Sequence, residues 1–136
     1  MNSYTMYPEK HIAIVRFNPG VLELADTIAI NEAYKHDARY SHIHFLVIIL
    51  TGCIPNFTEK DLPTITELYN TNVQVNNHKT SVWLVDEPLL TAFAHMFVDN
   101  TDEKSYYCST VEKAYSLLKP DDITYSEFVQ LLENSE

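Results

Sequence analysis

Two cysteines and two closely spaced histidines are the side chains in this sequence best suited to chemistry. Cys53 and Cys108 each follow an apolar segment, so their thiols could form a redox pair if these segments are neighbouring strands. His42 and His44 would share one side of an extended segment, a spacing that can bind a metal ion. No third metal ligand is evident, and no Lys, Arg or His flanks either cysteine, which favours buried thiols and incidental histidines. We therefore predict no catalytic residue, no metal site and no cofactor.

The composition argues against several classes of function. Only two glycines occur, so the glycine-rich loops that bind phosphates in nucleotide-binding proteins are absent. The net charge is −10, and no cluster of basic residues offsets it. Such a chain repels phosphate backbones, which argues against a nucleic-acid partner. No serine-hydrolase motif is present either, and we predict a non-enzymatic protein.

The length of 136 residues fits a single domain, and a hydrophobic content of 46% is enough to build a core. No apolar stretch reaches the roughly 20 residues that span a bilayer, so we expect no membrane span. The first ten residues show no secretory signal, and two cysteines are too few for a disulfide scaffold. These features predict a cytoplasmic location.

Apolar patterning predicts strands at 10–17, 43–50, 80–85 and 104–109, and helices at 24–38, 61–75, 87–98, 110–118 and 124–134. Residues 45–50 are uninterruptedly apolar, which is typical of a central strand covered on both faces. Asp61, Asp86 and Glu87 are interpreted as helix caps, and Thr124 with Glu127 as a capping box. Repeated strand–helix units predict parallel strands joined by right-handed crossovers. The predicted class is α/β, with four β-α units, a mostly parallel sheet of four to five strands and an extra C-terminal helix.

This layout resembles the anti-sigma-factor antagonist family, also called the SpoIIAA-like or STAS family. The resemblance rests on the segments IAIVRFNPGVLE, HFLVIILTGCIPNFTEKDL, TSVWLVDEP and YYCSTVEKAYSLL. It implies one STAS-like domain over residues 1–136, with a core at 8–118 and an appended C-terminal helix within 121–134. It also implies a regulatory role through binding of a protein partner.

Members of that family carry a phosphorylated serine, within a D-S-[ST]-G motif, in the loop after the central strand. Here that loop reads Phe57, Thr58, Glu59, so an acidic residue or its neighbour stands where the serine is expected, and the motif's glycine is absent. Thr58 is the nearby hydroxyl and the candidate phosphoacceptor. Its alternative role is to satisfy backbone N–H groups in a turn.

The third predicted helix, PLLTAFAHMFV, is apolar around nearly its whole circumference, so something must cover the face that does not rest on the sheet. The terminal helix, a second copy of the chain in a homodimer, and an apolar small molecule are the three options. We predict an interaction surface for an unidentified protein partner, and its residues are Asn56, Phe57, Thr58, Phe93, Met96 and Phe97. The alternative is a carrier or sensor of a small apolar ligand, in a pocket between this helix and the sheet lined by Trp83, Phe93 and Phe97.

Overall fold

The computed structural model describes residues 2–70, 79–99 and 104–135, without the side chains at positions 66 and 68–70. The described chain forms a mixed five-stranded sheet with α-helices on both faces, which confirms the predicted α/β class. The strands of this sheet are β1 Ser3–Tyr7, β2 Ile12–Arg16, β4 Phe45–Ile49, β6 Thr80–Leu84 and β7 Lys104–Cys108. Two short strands, β3 Gly20–Leu22 and β5 Cys53–Pro55, form a separate two-stranded sheet. The α-helices are α1 Leu24–Lys35, α2 Leu62–Asn70, α3 Pro88–Asp99, α4 Val111–Leu118 and α5 Tyr125–Asn134.

The parallel strands follow one another across the sheet in chain order. β2, β4, β6 and β7 are parallel neighbours, and β4 is the middle strand of the five. Residues 46–50 are buried and Phe45 is half-buried. The prediction that residues 45–50 form a central strand is therefore confirmed.

An antiparallel edge strand, β1, lies beside β2 and is not predicted from the sequence. Tyr4 pairs with Val15 and Met6 with Ala13, and the Met6 side chain is buried in the core. The segment SYTMY is short and has no clean apolar alternation, so its own pattern does not indicate a strand. The open edge of β2 supplies the hydrogen-bonding partners that make it one.

Side chains alternate between two cores on opposite faces of the sheet. On one face Val15, Ile48 and Trp83 pack with α1 and α3, and partly buried residues of α2 join them. On the other face Ile14 and Val82 pack with α4 and α5. The molecule therefore has three layers, with α1 to α3 on one side and α4 and α5 on the other.

The terminal helix α5 does not cover α3, in contrast to the plainest option raised by the sequence. Phe128, Leu131 and Leu132 are buried against the opposite face of the sheet. Lys10 binds Glu127 at 2.9 Å, and Arg16 donates to the Leu132 carbonyl oxygen at 2.8 Å. Helices α1 to α3 already cover the first face of the sheet. Helix α5 therefore packs on the second face, where apolar side chains still need to be covered.

Several predicted helix signals are confirmed, with shifted ends. Thr124 and Glu127 form the capping box of α5, and Glu87 accepts the Leu90 N–H at 2.7 Å at the start of α3. The helix predicted at 61–75 is α2 as far as position 70, and positions 71–75 lie outside the described residues. None of the helices within the described ranges has the length and apolar character needed to cross a bilayer.

Candidate functional site

A cavity of about 70 Å³ lies in the first core, between the sheet and helices α1 to α3. Trp83, Phe93 and Phe97, which the sequence analysis groups around such a pocket, all line it. Phe57 and Ile65 contribute from the loop after β5 and from α2. None of the described residues that line this cavity is an Asp, Glu, Lys, Arg or His, so these walls suit an uncharged ligand.

Aromatic contacts shape the cavity walls. Trp83 stacks on Phe97 with ring centroids 4.5 Å apart, and Phe57 meets Phe93 edge to face at 4.8 Å. Each pair joins two different elements, β6 with α3 and the β5–α2 loop with α3. Such contacts hold the walls apart in a defined geometry.

Helix α1 forms a side of the cavity that was not predicted from the sequence. Ile30 and Tyr34 are the buried residues of α1, and Asn31 lies between them at the cavity. The Asn31 amide donates to the Tyr34 hydroxyl at 2.7 Å, while its Oδ1 atom is buried without a partner. The Trp83 Nε1 atom is also buried without a partner. The i and i+4 spacing of Ile30 and Tyr34 was the signal that could have located this wall.

The predicted interaction surface is only partly at the surface. Phe93 and Phe97 are 5% and 0% exposed, so both are core residues, and their place in an exposed surface is corrected. The helix that carries them rests on the sheet, and their rings fill the space between the two. Met96 and Phe57 are half-buried.

The loop after β5 contains the remaining predicted residues, and both are exposed. The Thr58 Oγ1 atom accepts the Lys60 N–H at 3.3 Å, and Asp61 accepts the Thr58 N–H at 3.0 Å, so Thr58 caps a short turn before α2. Asn56 donates to the Glu23 carboxylate at 3.0 Å. Phosphorylation of Thr58 stays a prediction.

Exposed apolar side chains gather beside this loop, on a small ribbon formed by β3 and β5. Val21 and Ile54 are cross-strand partners and are 64% and 53% exposed. Leu89 is 67% exposed at the start of α3, a helix that packs against β5. Sequence reasoning missed these residues because neither short strand carries a detectable pattern.

The two cysteines are not brought together. β6 lies between β4, which leads to Cys53, and β7, which ends at Cys108. Burial raises the pKa of both thiols, and the nearby Asp86 carboxylate raises that of Cys53 further. Both are free, and the Cys53 thiol donates to the Asn18 carbonyl oxygen at 3.3 Å. A redox pair is therefore excluded by the strand order.

The histidines contact other side chains by ring stacking and by hydrogen bonds. His44 stacks on His11 with centroids 4.4 Å apart, and no cluster of three metal-ligating side chains occurs in the part of the chain that the structure describes. His95 contacts the Tyr107 hydroxyl at 2.9 Å and Asp99 at 3.2 Å. His95 and Asp99 are 58% and 61% exposed, so water competes for this chain of contacts.

Comparison of the chain with protein-family models, with curated proteins and with solved structures finds no match.

Proposed function

We propose that this protein is a non-enzymatic binding domain that carries or senses a small, mainly apolar ligand in the cavity between α3 and the sheet. The observation that supports it is a partly open, almost entirely apolar cavity of about 70 Å³ in the first core. Protein interiors contain few voids larger than a water molecule, since each unfilled volume costs stability. A void walled by stacked aromatic rings is suited to an apolar occupant.

The proposal includes a STAS-like fold for the domain. Four parallel strands in chain order, preceded by an antiparallel strand, are compatible with that family's layout. Fold alone does not set function, so the proposal depends on the cavity and not on the family's regulatory role.

A substitution that fills the cavity tests the ligand-binding function. Ile30 is 8% exposed and lines the cavity, so Ile30→Phe places a larger side chain in it. Ile54→Phe is the matched control, because it makes the same change at an exposed position outside the cavity. Native mass spectrometry after gentle purification, together with ligand-observed NMR on a set of small apolar compounds, measures binding.

We expect the wild-type chain and Ile54→Phe to retain or bind a compound and Ile30→Phe to lose it. Binding that is equal in all three proteins places the ligand elsewhere. The absence of any bound compound in the wild-type chain rejects the function.

We also propose, as a second candidate, a regulatory role in which the ribbon of β3 and β5 binds a protein partner. The cross-strand pair of Val21 and Ile54 supports it, because both side chains stand exposed beside the loop that the family uses for partners. Two exposed acidic residues lie beside the ribbon: Glu23 directly follows β3, and Asp86 accepts the Gly52 N–H just before β5. The partner that fits is a protein with an apolar anchor inside a basic rim.

Capture from extracts of the native cell tests this second candidate. The expected partner is lost with Ile54→Ser, is retained with Tyr125→Ser on the opposite layer, and weakens as salt is raised. Sedimentation of the pure protein tests the alternative, in which a second copy of the chain covers the ribbon. A dimer that Ile54→Ser dissociates would mean that a second copy, and not a basic partner, covers the ribbon.

A further inference from the structure

Two residues that line the cavity each carry a buried polar atom with no hydrogen-bond partner among the described residues. The atoms are Nε1 of Trp83 and Oδ1 of Asn31. Trp83 is 8% exposed and belongs to β6, whereas Asn31 belongs to α1, so the two atoms come from opposing walls. Buried polar groups in native proteins are nearly always hydrogen-bonded, so a pair of them at one cavity indicates a missing partner.

The surroundings of both groups hold them in place. The Trp83 ring stacks on Phe97 at an interplanar angle of 28°, and Asn31 Nδ2 donates to the Tyr34 hydroxyl. Turning either group toward another partner would break these contacts. If the Asn31 amide were flipped, its other polar atom would be the unpaired one, so one amide atom lacks a partner in either orientation.

The hydrogen-bonding capacity of the two atoms determines which ligand group could bind both of them. The indole N–H only donates, and in the orientation in which Asn31 Nδ2 donates to Tyr34 the unpaired amide oxygen only accepts. A hydroxyl group accepts one hydrogen bond and donates another, so it has the hydrogen-bonding capacity that the two groups together require. A carboxylate has no proton to give to Asn31, and no cationic side chain lines the cavity to offset its charge.

We infer that the ligand of this cavity is a neutral molecule with an apolar body and one hydroxyl group, which accepts from Trp83 Nε1 and donates to Asn31 Oδ1. This inference rests on the proposed ligand-binding function. The cavity of about 70 Å³ is smaller than the roughly 150 Å³ cavity that accommodates benzene in another protein. A branched alcohol of a few carbons is therefore the probe of matching size.

Isobutanol and isopentane test the inference, because they differ only by a hydroxyl in place of a methyl group. Trp83 is the single tryptophan, so its indole N–H gives one identifiable NMR signal. We expect isobutanol to shift this signal to lower field and to bind at least about tenfold more tightly than isopentane. Asn31→Leu should reduce the preference to within about twofold, whereas Asn134→Leu, an exposed position on α5, should retain it.

Other results of this binding experiment would reject the hydroxyl inference, the ligand-binding function or both. Equal binding of both probes removes the hydroxyl inference but leaves the ligand-binding function. Binding of neither probe removes both. A long-lived water on the indole N–H that isobutanol does not displace would show that a buried water is the missing partner. If Asn31→Leu does not fold, Trp83→Phe read by saturation transfer to isobutanol replaces it, and an undiminished preference in that variant rejects the inference.

Discussion

A single added methylene at Val15 tests whether the cavity is free space in the folded protein. Val15 is 1% exposed on β2 and lines the cavity. Val15→Ile keeps the branched β-carbon, so the preference of the strand backbone is unchanged. Val82→Ile is the matched control, since Val82 is fully buried on β6 and faces the core formed with α4 and α5.

The expected effects of the two substitutions have opposite signs. A void of about 70 Å³, at about 24 cal/mol per Å³, limits the gain from complete filling to about 1.7 kcal/mol. One buried methylene contributes about 0.8 kcal/mol, so Val15→Ile should raise the free energy of unfolding by about that amount. Val82→Ile should lower it by about 1–3 kcal/mol, because overpacking forces neighbouring side chains apart.

Urea unfolding followed by the fluorescence of Trp83 measures both values, provided that the slope with urea is the same in each variant. Val15→Ile should also weaken isobutanol binding, because the new methyl group occupies the same space. A loss of stability in Val15→Ile as large as that in Val82→Ile would mean that the space is not free. The cavity, and the function proposed for it, would then be refuted.

Three further predictions concern the turns, the histidines and the thiols. Gly52→Ala should cost about 1–2 kcal/mol in urea unfolding, because Gly52 has φ of +80° and an added Cβ would lie 3.1 Å from Pro19 Cβ. Desolvation, followed by the charge of His11, lowers the pKa of His44, so the unfolded chain binds more protons and stability should fall as the pH drops through about 6.5. His44→Gln should flatten that part of the profile of stability against pH. The Cys53 thiol, which is 0% exposed, should react with a thiol reagent far more slowly in the folded chain than in urea.

Each of these predictions has a contradicting result. An unchanged urea midpoint in Gly52→Ala would show that the turn relaxes without strain. A profile of stability against pH that His44→Gln leaves unchanged would assign the dependence to another group. Native reaction of Cys53 at the rate of the unfolded chain would show that the thiol is accessible in the folded protein.

Much of the fold was predictable because local patterns carried it. Residues 45–50 are apolar without interruption, which is typical of a strand covered on both faces, and the structure buries 46–50 and half-buries Phe45. Thr124 and Glu127 satisfy backbone groups within one turn, so their spacing alone located the start of α5. Segment β1 has no such signal, because its five residues do not alternate cleanly and it becomes a strand only by pairing with β2.

The candidate site was predictable only in part. Trp83, Phe93 and Phe97 could be grouped from a helix that is too apolar for one stripe and a neighbouring strand. Asn31 could not be assigned to the site from the sequence. A single polar residue on a helix does not show whether its face of the helix will pack on the sheet.

The sequence by itself determined the α-helices, the four parallel strands of the main sheet and the central strand, since these follow from hydrophobic period and capping over short distances. Only the tertiary structure decided which face of the sheet α5 covers, because either face is apolar and the choice depends on what α1 to α3 already occupy. It likewise decided that Asn31 and Trp83 line one cavity, although they are 52 positions apart in the printed sequence, because no local pattern encodes how a helix and a distant strand come together.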